Sequence, residues 1–131
     1  MASAQRGYAI TGLHHVQLAM PPTQEEVAES FYCGVLGFEK VKKPEHLAGR
    51  GGCWFRAGDL QFHLGVEKPF RAARKAHPAF KVQNLDALMN HLEQRAVPIV
   101  WDTQLDRHKR FYISDPFGNR LELIECLESD R

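Results

Sequence analysis

Apolar and polar residues alternate along this chain in short bursts, and two longer stretches replace the alternation with a helical period. The first burst, "HVQLAM", sets Leu13, His15, Gln17 and Ala19 on one strand face and His14, Val16, Leu18 and Met20 on the other. "PPT" stops that strand. "TQEEVAESFYCGVLGF" then predicts a helix, with Thr23 as N-cap and Glu26 three residues on as a capping box. Its apolar stripe is Val27, Phe31, Val35 and Leu36, and Gly37 closes it. Short strands follow at about 39–41, 53–56 and 60–66, with "AGD" as the hairpin turn between the last two.

The second half repeats this order. "HPAFKV" is extended, and "NLDALMNHLEQRAV" is a helix with Leu85, Leu88, Met89, Leu92 and Val97 facing inward. "PIVW", "RFYIS" and "RLELIEC" are strands, the last two joined by the turn "DPFGN". Each half therefore reads as β-α-β-β-β and opens on a histidine-bearing strand. The predicted fold class is α+β, one domain of paired modules over about 12–66 and 76–126, joined by a linker over 67–75. The linker carries Lys68, Arg71, Arg74 and Lys75; it reads as a solvated strap, or more sharply as a rim that steers anions.

Applied to the strands that border each half, the period of two sorts side chains by face. Phe62 and Leu64, Phe80 and Val82, and Leu121 and Leu123 face a core. His15, Gln17, Gln61, His63, His77, Lys81, Arg120 and Glu122 fall on the opposite faces. Those faces suit the lining of a polar cup, or a wet surface. Trp54 and Arg56 join them if Cys53 and Phe55 face the core. Two histidines and a carboxylate on rigid strands suit a divalent transition ion with open coordination positions, and His15 and His77 occupy the same place in the two halves. The other histidines, His46, His91 and His108, read as solvated.

Composition narrows the class further. The chain has 131 residues, 44% hydrophobic and 25% charged, with a formal net charge of +1. That balance gives no reason to expect nucleic acid as a partner. The apolar stretches are too short to span a bilayer, and no signal-peptide core opens the chain. Three cysteines, Cys33, Cys53 and Cys126, without paired spacing read as buried thiols of a cytoplasmic protein. No serine or cysteine triad spacing and no glycine-rich phosphate loop is present.

"HHVQLAM" with "FYCGVLGFE", then "HPAFKVQNLDAL", then "FYISDPFGNRLELIE" carry a family resemblance. From about Gly12 to Glu125 the chain resembles the vicinal oxygen chelate superfamily, which includes type I glyoxalases, fosfomycin-resistance thiol transferases, bleomycin-resistance proteins, methylmalonyl-CoA epimerases and extradiol dioxygenases. The resemblance implies paired βαβββ modules whose sheets form a barrel-like cup around a metal, with the cup often completed between subunits of a homodimer. It places the ligands on His15, His77 and Glu122, and a fourth on His63, with Gln61 as the alternative register. His14 is then a surface or packing residue. Manganese, iron(II), nickel and zinc all suit such a set.

Two functions follow from the resemblance. One is a metal-dependent isomerase, lyase, thiol transferase or ring-cleaving dioxygenase acting on a small oxygen-rich substrate. Glu122, His63 and Tyr112 would serve as its catalytic groups, and Gln17, Gln61, Trp54, Arg56 and Arg120 would line its substrate site. The other is a non-catalytic protein that sequesters a small molecule or antibiotic in the same cup. Gln17 and Trp101 stand where fosfomycin enzymes carry a threonine and a lysine, which argues against fosfomycin itself.

Overall fold

A computed structural model describes residues 6–102 and 107–127. The first module runs β1 (Val16–Met20), α1 (Glu25–Glu29), β2 (Glu39–Val41), β3 (Cys53–Ala57) and β4 (Leu60–Val66). The second runs β5 (Ala79–Lys81), α2 (Leu85–Gln94), β6 (Val100–Asp102), β7 (His108–Ser114) and β8 (Arg120–Cys126). Each module folds into a four-stranded sheet of the same topology, β1-β4-β3-β2 and β5-β8-β7-β6. In each sheet the opening strand runs parallel to the closing one, and the remaining pairs are antiparallel. The architecture is thus α+β with paired βαβββ modules. The sheets stay open, each with two edges, and do not close into a barrel.

The first helix departs from its sequence reading. Thr23 is not the N-cap: it sits at φ +65° and its hydroxyl donates to the carbonyl of Pro22, so Gln24 takes the cap without a side-chain bond. After α1 the chain widens into a π-helical turn, Ser30–Val35. A π turn holds more residues than an α turn, so the inward face rotates. Tyr32 and Ala28 are fully buried and Phe31 nearly so, whereas Val27, expected in the stripe, is 42% exposed. The second helix follows its period more closely. Leu85 and Leu92 are fully buried, and Asn84 caps the helix by accepting from the Ala87 amide. Both oxygens of Glu125, from β8, also accept amides at this end, those of Asn84 and Leu85. These bonds hold the Glu125 carboxyl below the usual range.

Apolar strand faces from both modules share one core. Phe62 of β4 meets Phe80 of β5 edge to face, with ring centroids 5.4 Å apart, and Phe38 packs on both. Of the three cysteines only Cys53 is buried; Cys33 and Cys126 are half-exposed, contrary to expectation. Burial, with Glu29 and Glu25 nearby, pushes the Cys53 thiol up to about 12. Among the described residues no helix is long and apolar enough to cross a membrane.

The β7–β8 turn does more than reverse the chain. Asp115 Oδ1 accepts from the amides of Phe117 and Asn119, which shapes the turn, while its Oδ2 accepts from the Tyr32 hydroxyl at 2.7 Å. Asn119, fully buried, donates through Nδ2 to the carbonyl of Ala19 in β1 and accepts through Oδ1 from the amide of Ala73. One turn of the second module therefore holds the first helix, the first strand and the linker.

Two outcomes follow. Asn119→Ala strands the half-buried Ala19 carbonyl and Ala73 amide and should cost about 1–3 kcal/mol in urea unfolding at unchanged m-value. Tyr32→Phe should cost about 1–2 kcal/mol near neutral pH. Burial, then the charge and hydrogen bond of Asp115, raise the Tyr32 hydroxyl well above its ordinary value. The folded state therefore keeps a proton that the unfolded chain releases near pH ~10. Wild-type stability should fall as pH rises past that point. Tyr32→Phe should remove this part of the alkaline loss and leave the part due to Cys53.

Candidate functional site

The polar faces of the two sheets hold two clusters built on one plan. In the first, His15 lies immediately before β1, and His63 lies in β4 opposite Gln17 on one side and Trp54 on the other. The His63 ring is sandwiched. It stacks on Trp54 at 4.3 Å with 5° between planes, and on His15 at 4.3 Å with 20° between planes. That sandwich buries His63 on a face that sequence alone reads as the lining of a polar cup or a wet surface. Burial, then the neighbouring His15, His14 and Lys43, push its imidazole below the ordinary value, so it stays neutral with a lone pair free. His15 is exposed, and its Nδ1 lies 3.0 Å from that of His14. His14 thus contacts the cluster through His15.

In the second cluster, Glu122 of β8 is buried on a polar face. Its Oε1 lies 2.8 Å from His77 Nε2, and its Oε2 accepts from Arg110 Nη1 at 3.2 Å. Arg110 also reaches Asp102 at 2.8 Å, and its Nε is buried without a hydrogen-bond partner among the described residues. The Tyr112 ring, directly opposite Glu122, has the edge of His77 at 5.5 Å and the Arg120 guanidinium over its face at 3.9 Å.

His77 carries information about what this cluster is built to hold. Its Nδ1 faces the Lys75 carbonyl at 2.9 Å, while Nε2 faces the carboxylate. A carbonyl can only accept, so it fixes the proton on Nδ1 and leaves Nε2 as the donor atom. Metal-bound histidines are held in this way by a hydrogen bond at the far nitrogen. A hydrogen shared between Nε2 and the carboxylate would satisfy the pair, and a cation between them would satisfy the same two atoms. The donor chemistry of His77 and Glu122 therefore fits a divalent ion.

The strand registers make the two clusters equivalent. Glu122 pairs with Ala79, two residues beyond His77; His63 pairs with Gln17, two residues beyond His15. His63, rather than Gln61, thus occupies the place that Glu122 has in the second module. Of the residues expected to line a site, Gln17 and Trp54 flank His63, and the Gln17 amide lies over Gly65, where a Cβ would stand 2.6 Å from it. Gln61 and Arg56 face each other further along, and Arg56 is committed to an exposed pair with Glu39. Arg120 and Tyr112 belong to the second cluster.

Within one chain the two clusters remain separate. Among the described residues no three His, Cys, Asp or Glu side chains converge closely enough to hold a metal ion. His15 and His63 are brought together, as are His77 and Glu122, but the four are not. Arg110 and Asp102 escaped the sequence reading, although Arg110 lies two residues before Tyr112 and so shares its face. His91 is not merely solvated: its Nε2 contacts the Val35 carbonyl at 2.7 Å and links α2 to the first module. His108 lies at the start of β7 and is half-buried rather than fully solvated.

Comparison with known proteins gives this geometry a family. The sequence matches the Glyoxalase/Bleomycin resistance protein/Dioxygenase superfamily over residues 12–123. It is 33% identical over 129 residues to the uncharacterized protein YaeR of Escherichia coli K12, covering 86% of this chain and 95% of that one. A Bacillus anthracis crystal structure assigned to the glyoxalase family superposes with TM-score 0.88 at 44% identity, covering 90% of this chain and 97% of that one. The fosfomycin resistance protein FosX of Listeria monocytogenes shares the fold, with TM-score 0.68 at 16% identity over 94% of this chain and 97% of that one. This chain belongs to the glyoxalase/bleomycin resistance protein/dioxygenase superfamily.

Proposed function

We propose that the protein is a metal-dependent enzyme acting on a small, oxygen-rich substrate, with each active site shared between two copies of the chain. His15 and His63 of one copy and His77 and Glu122 of the other would hold one divalent ion. The observation that carries this reading is the pair His77–Glu122, oriented by the Lys75 carbonyl and repeated at the equivalent register by His15 and His63. Each chain presents two adjacent donors twice. Two copies related by a two-fold axis combine them into two equal sets of four.

Three imidazoles and one carboxylate leave a divalent ion with net positive charge. When bound, it would supply Lewis-acid stabilisation of negative charge developing on adjacent substrate oxygens. The chain's own residues would do the rest. Glu122 accepts protons at Oε1 or Oε2, and Arg110 holds the carboxylate in place through Oε2. His63, stacked on Trp54, would give its one lone pair to the ion, and would be a second proton acceptor only where the ion is held by the other three residues. Trp54 walls the first side of the substrate space, and Tyr112, Arg120 and Gln17 orient polar groups.

Elemental analysis of protein purified without chelators or a histidine tag tests the metal. We expect close to one divalent ion per chain in the wild type and its loss in His77→Ala; equal, near-zero metal in both would end the reading. Co-refolding inactive His15→Ala with inactive Glu122→Ala tests the sharing. Half the dimers are then mixed and carry one intact set of two, so roughly one quarter of wild-type metal should return. A site within one chain returns none.

A panel of methylglyoxal with glutathione, other thiols with epoxides, and catechols with oxygen tests the chemistry. Turnover abolished by Glu122→Gln in folded protein supports the enzyme. Tight ligand binding that is indifferent to metal and unaccompanied by turnover supports a sequestering protein instead. Arg110→Met should lower kcat roughly 10–100-fold with little change in KM, because it frees Glu122 without touching the substrate.

A further inference from the structure

We infer that the second module carries a binding site for a small oxyanion, a carboxylate or a phosphoryl group, formed by Arg74 of the linker and Arg120 at the start of β8. The two arginines line one cavity of about 550 Å³ with Tyr112, Ser114 and Gly118. No carboxylate side chain lines that cavity among the described residues.

The charges in this module are unevenly compensated. Arg110 is spent on Asp102 and Glu122, and Lys109 on Asp86. Arg74 and Arg120 form no ion pair and no side-chain hydrogen bond among the described residues. Arg120 instead lays its guanidinium on the Tyr112 ring at 3.9 Å. Stacking of this kind uses the face of the guanidinium and leaves its in-plane N–H donors available, the geometry that suits a planar or tetrahedral oxyanion.

The linker is not a loose strap where Arg74 emerges. The Arg120 amide donates to the Ala73 carbonyl at 2.8 Å, and the Ala73 amide donates to the buried Asn119 Oδ1 at 2.9 Å. Residues 73 and 119–120 are thereby stapled, and the two arginines leave the backbone from neighbouring, fixed points. An anion in the cavity that both residues line would gain Coulomb energy from each of them. Tyr112 is shared by this cavity and by the His77–Glu122 cluster, so an anion held here lies beside the proposed reaction centre. The assignment of that anion to the substrate rests on the proposed function; the site itself does not.

The test uses chelator-treated protein at fixed ionic strength. Inorganic phosphate and, separately, acetate are titrated while the arginine Nε–Hε signals are followed by NMR. We expect saturable shifts at Arg74 and Arg120 with at least one of the two anions, and that anion names the class, phosphoryl or carboxylate. Arg74→Gln, a change at an exposed side chain, and Arg120→Gln should each weaken binding roughly tenfold or more. Arg120→Lys should recover only part of it, and Arg71→Gln should bind as wild type. Shifts that do not saturate, or an Arg71→Gln variant weakened as much as Arg120→Gln, would mean a diffuse basic surface and overturn the site. Glu122→Gln separates the two readings: it should lose metal while keeping the anion. Anion binding in a protein that never retains metal defeats the metal reading alone, and metal retention without anion binding defeats this one alone.

Discussion

A buried carboxylate and a buried amide in one turn set the frame of this protein. Asp115 and Asn119 between them bind the hydroxyl of Tyr32, the carbonyl of Ala19 and the amide of Ala73. Those three partners belong to the first helical segment, the first strand and the linker. Buried polar groups are costly unless every one is paired, so such a network tolerates few alternative arrangements. The apolar contact of Phe62 with Phe80 drives the modules together without fixing their angle; the hydrogen bonds of the turn supply the direction.

That frame matters to chemistry because the same turn launches β8. Arg120 follows Asn119 directly, and Glu122 is two residues further on the same face. The linker pinned to the turn continues through Lys75, whose carbonyl orients His77. The positions of Glu122, His77, Arg74 and Arg120 thus all trace back to one rigid junction. Strand-borne groups supported in this way are held more precisely than groups on free loops.

Much of this was legible in the sequence. The repeat of a histidine strand, a helix and three strands gave the module plan, because a two-residue period for strands and a 3.6-residue period for helices are fixed by backbone geometry. The faces followed: Phe62, Leu64, Phe80, Leu121 and Leu123 are all buried as their alternation requires. Other features were hidden for physical reasons. A π turn leaves no mark on the periodicity of the five residues before it, so Tyr32 was not distinguished from its neighbours. Thr23 matches a capping box, but its positive φ directs the hydroxyl to Pro22. "DPFGN" reads correctly as a turn, yet the side chains that make turns are also those that make buried networks, and only tertiary context separates the roles. Period two assigns His15, His63, His77 and Glu122 to polar faces; it says nothing of which faces meet, and within the described residues of one chain the four form two pairs.

The two pairs, equivalent by register, are opposite in character. The first is a stack of rings, His15, His63 and Trp54, with Gln17 beside it. The second is a charged lattice of Glu122, Arg110 and Asp102, with Arg120 against Tyr112. Such a division is what a duplicated module allows. Both copies keep the backbone that presents a side chain opposite the second residue after the histidine, and each copy is free to change what that side chain is. An imidazole there gives a neutral, stackable group; a carboxylate gives charge that must be balanced by a neighbour, here Arg110. A small ligand touching both faces would meet flat, weakly polar surface on one side and fixed charge on the other, and this asymmetry alone is enough to orient it.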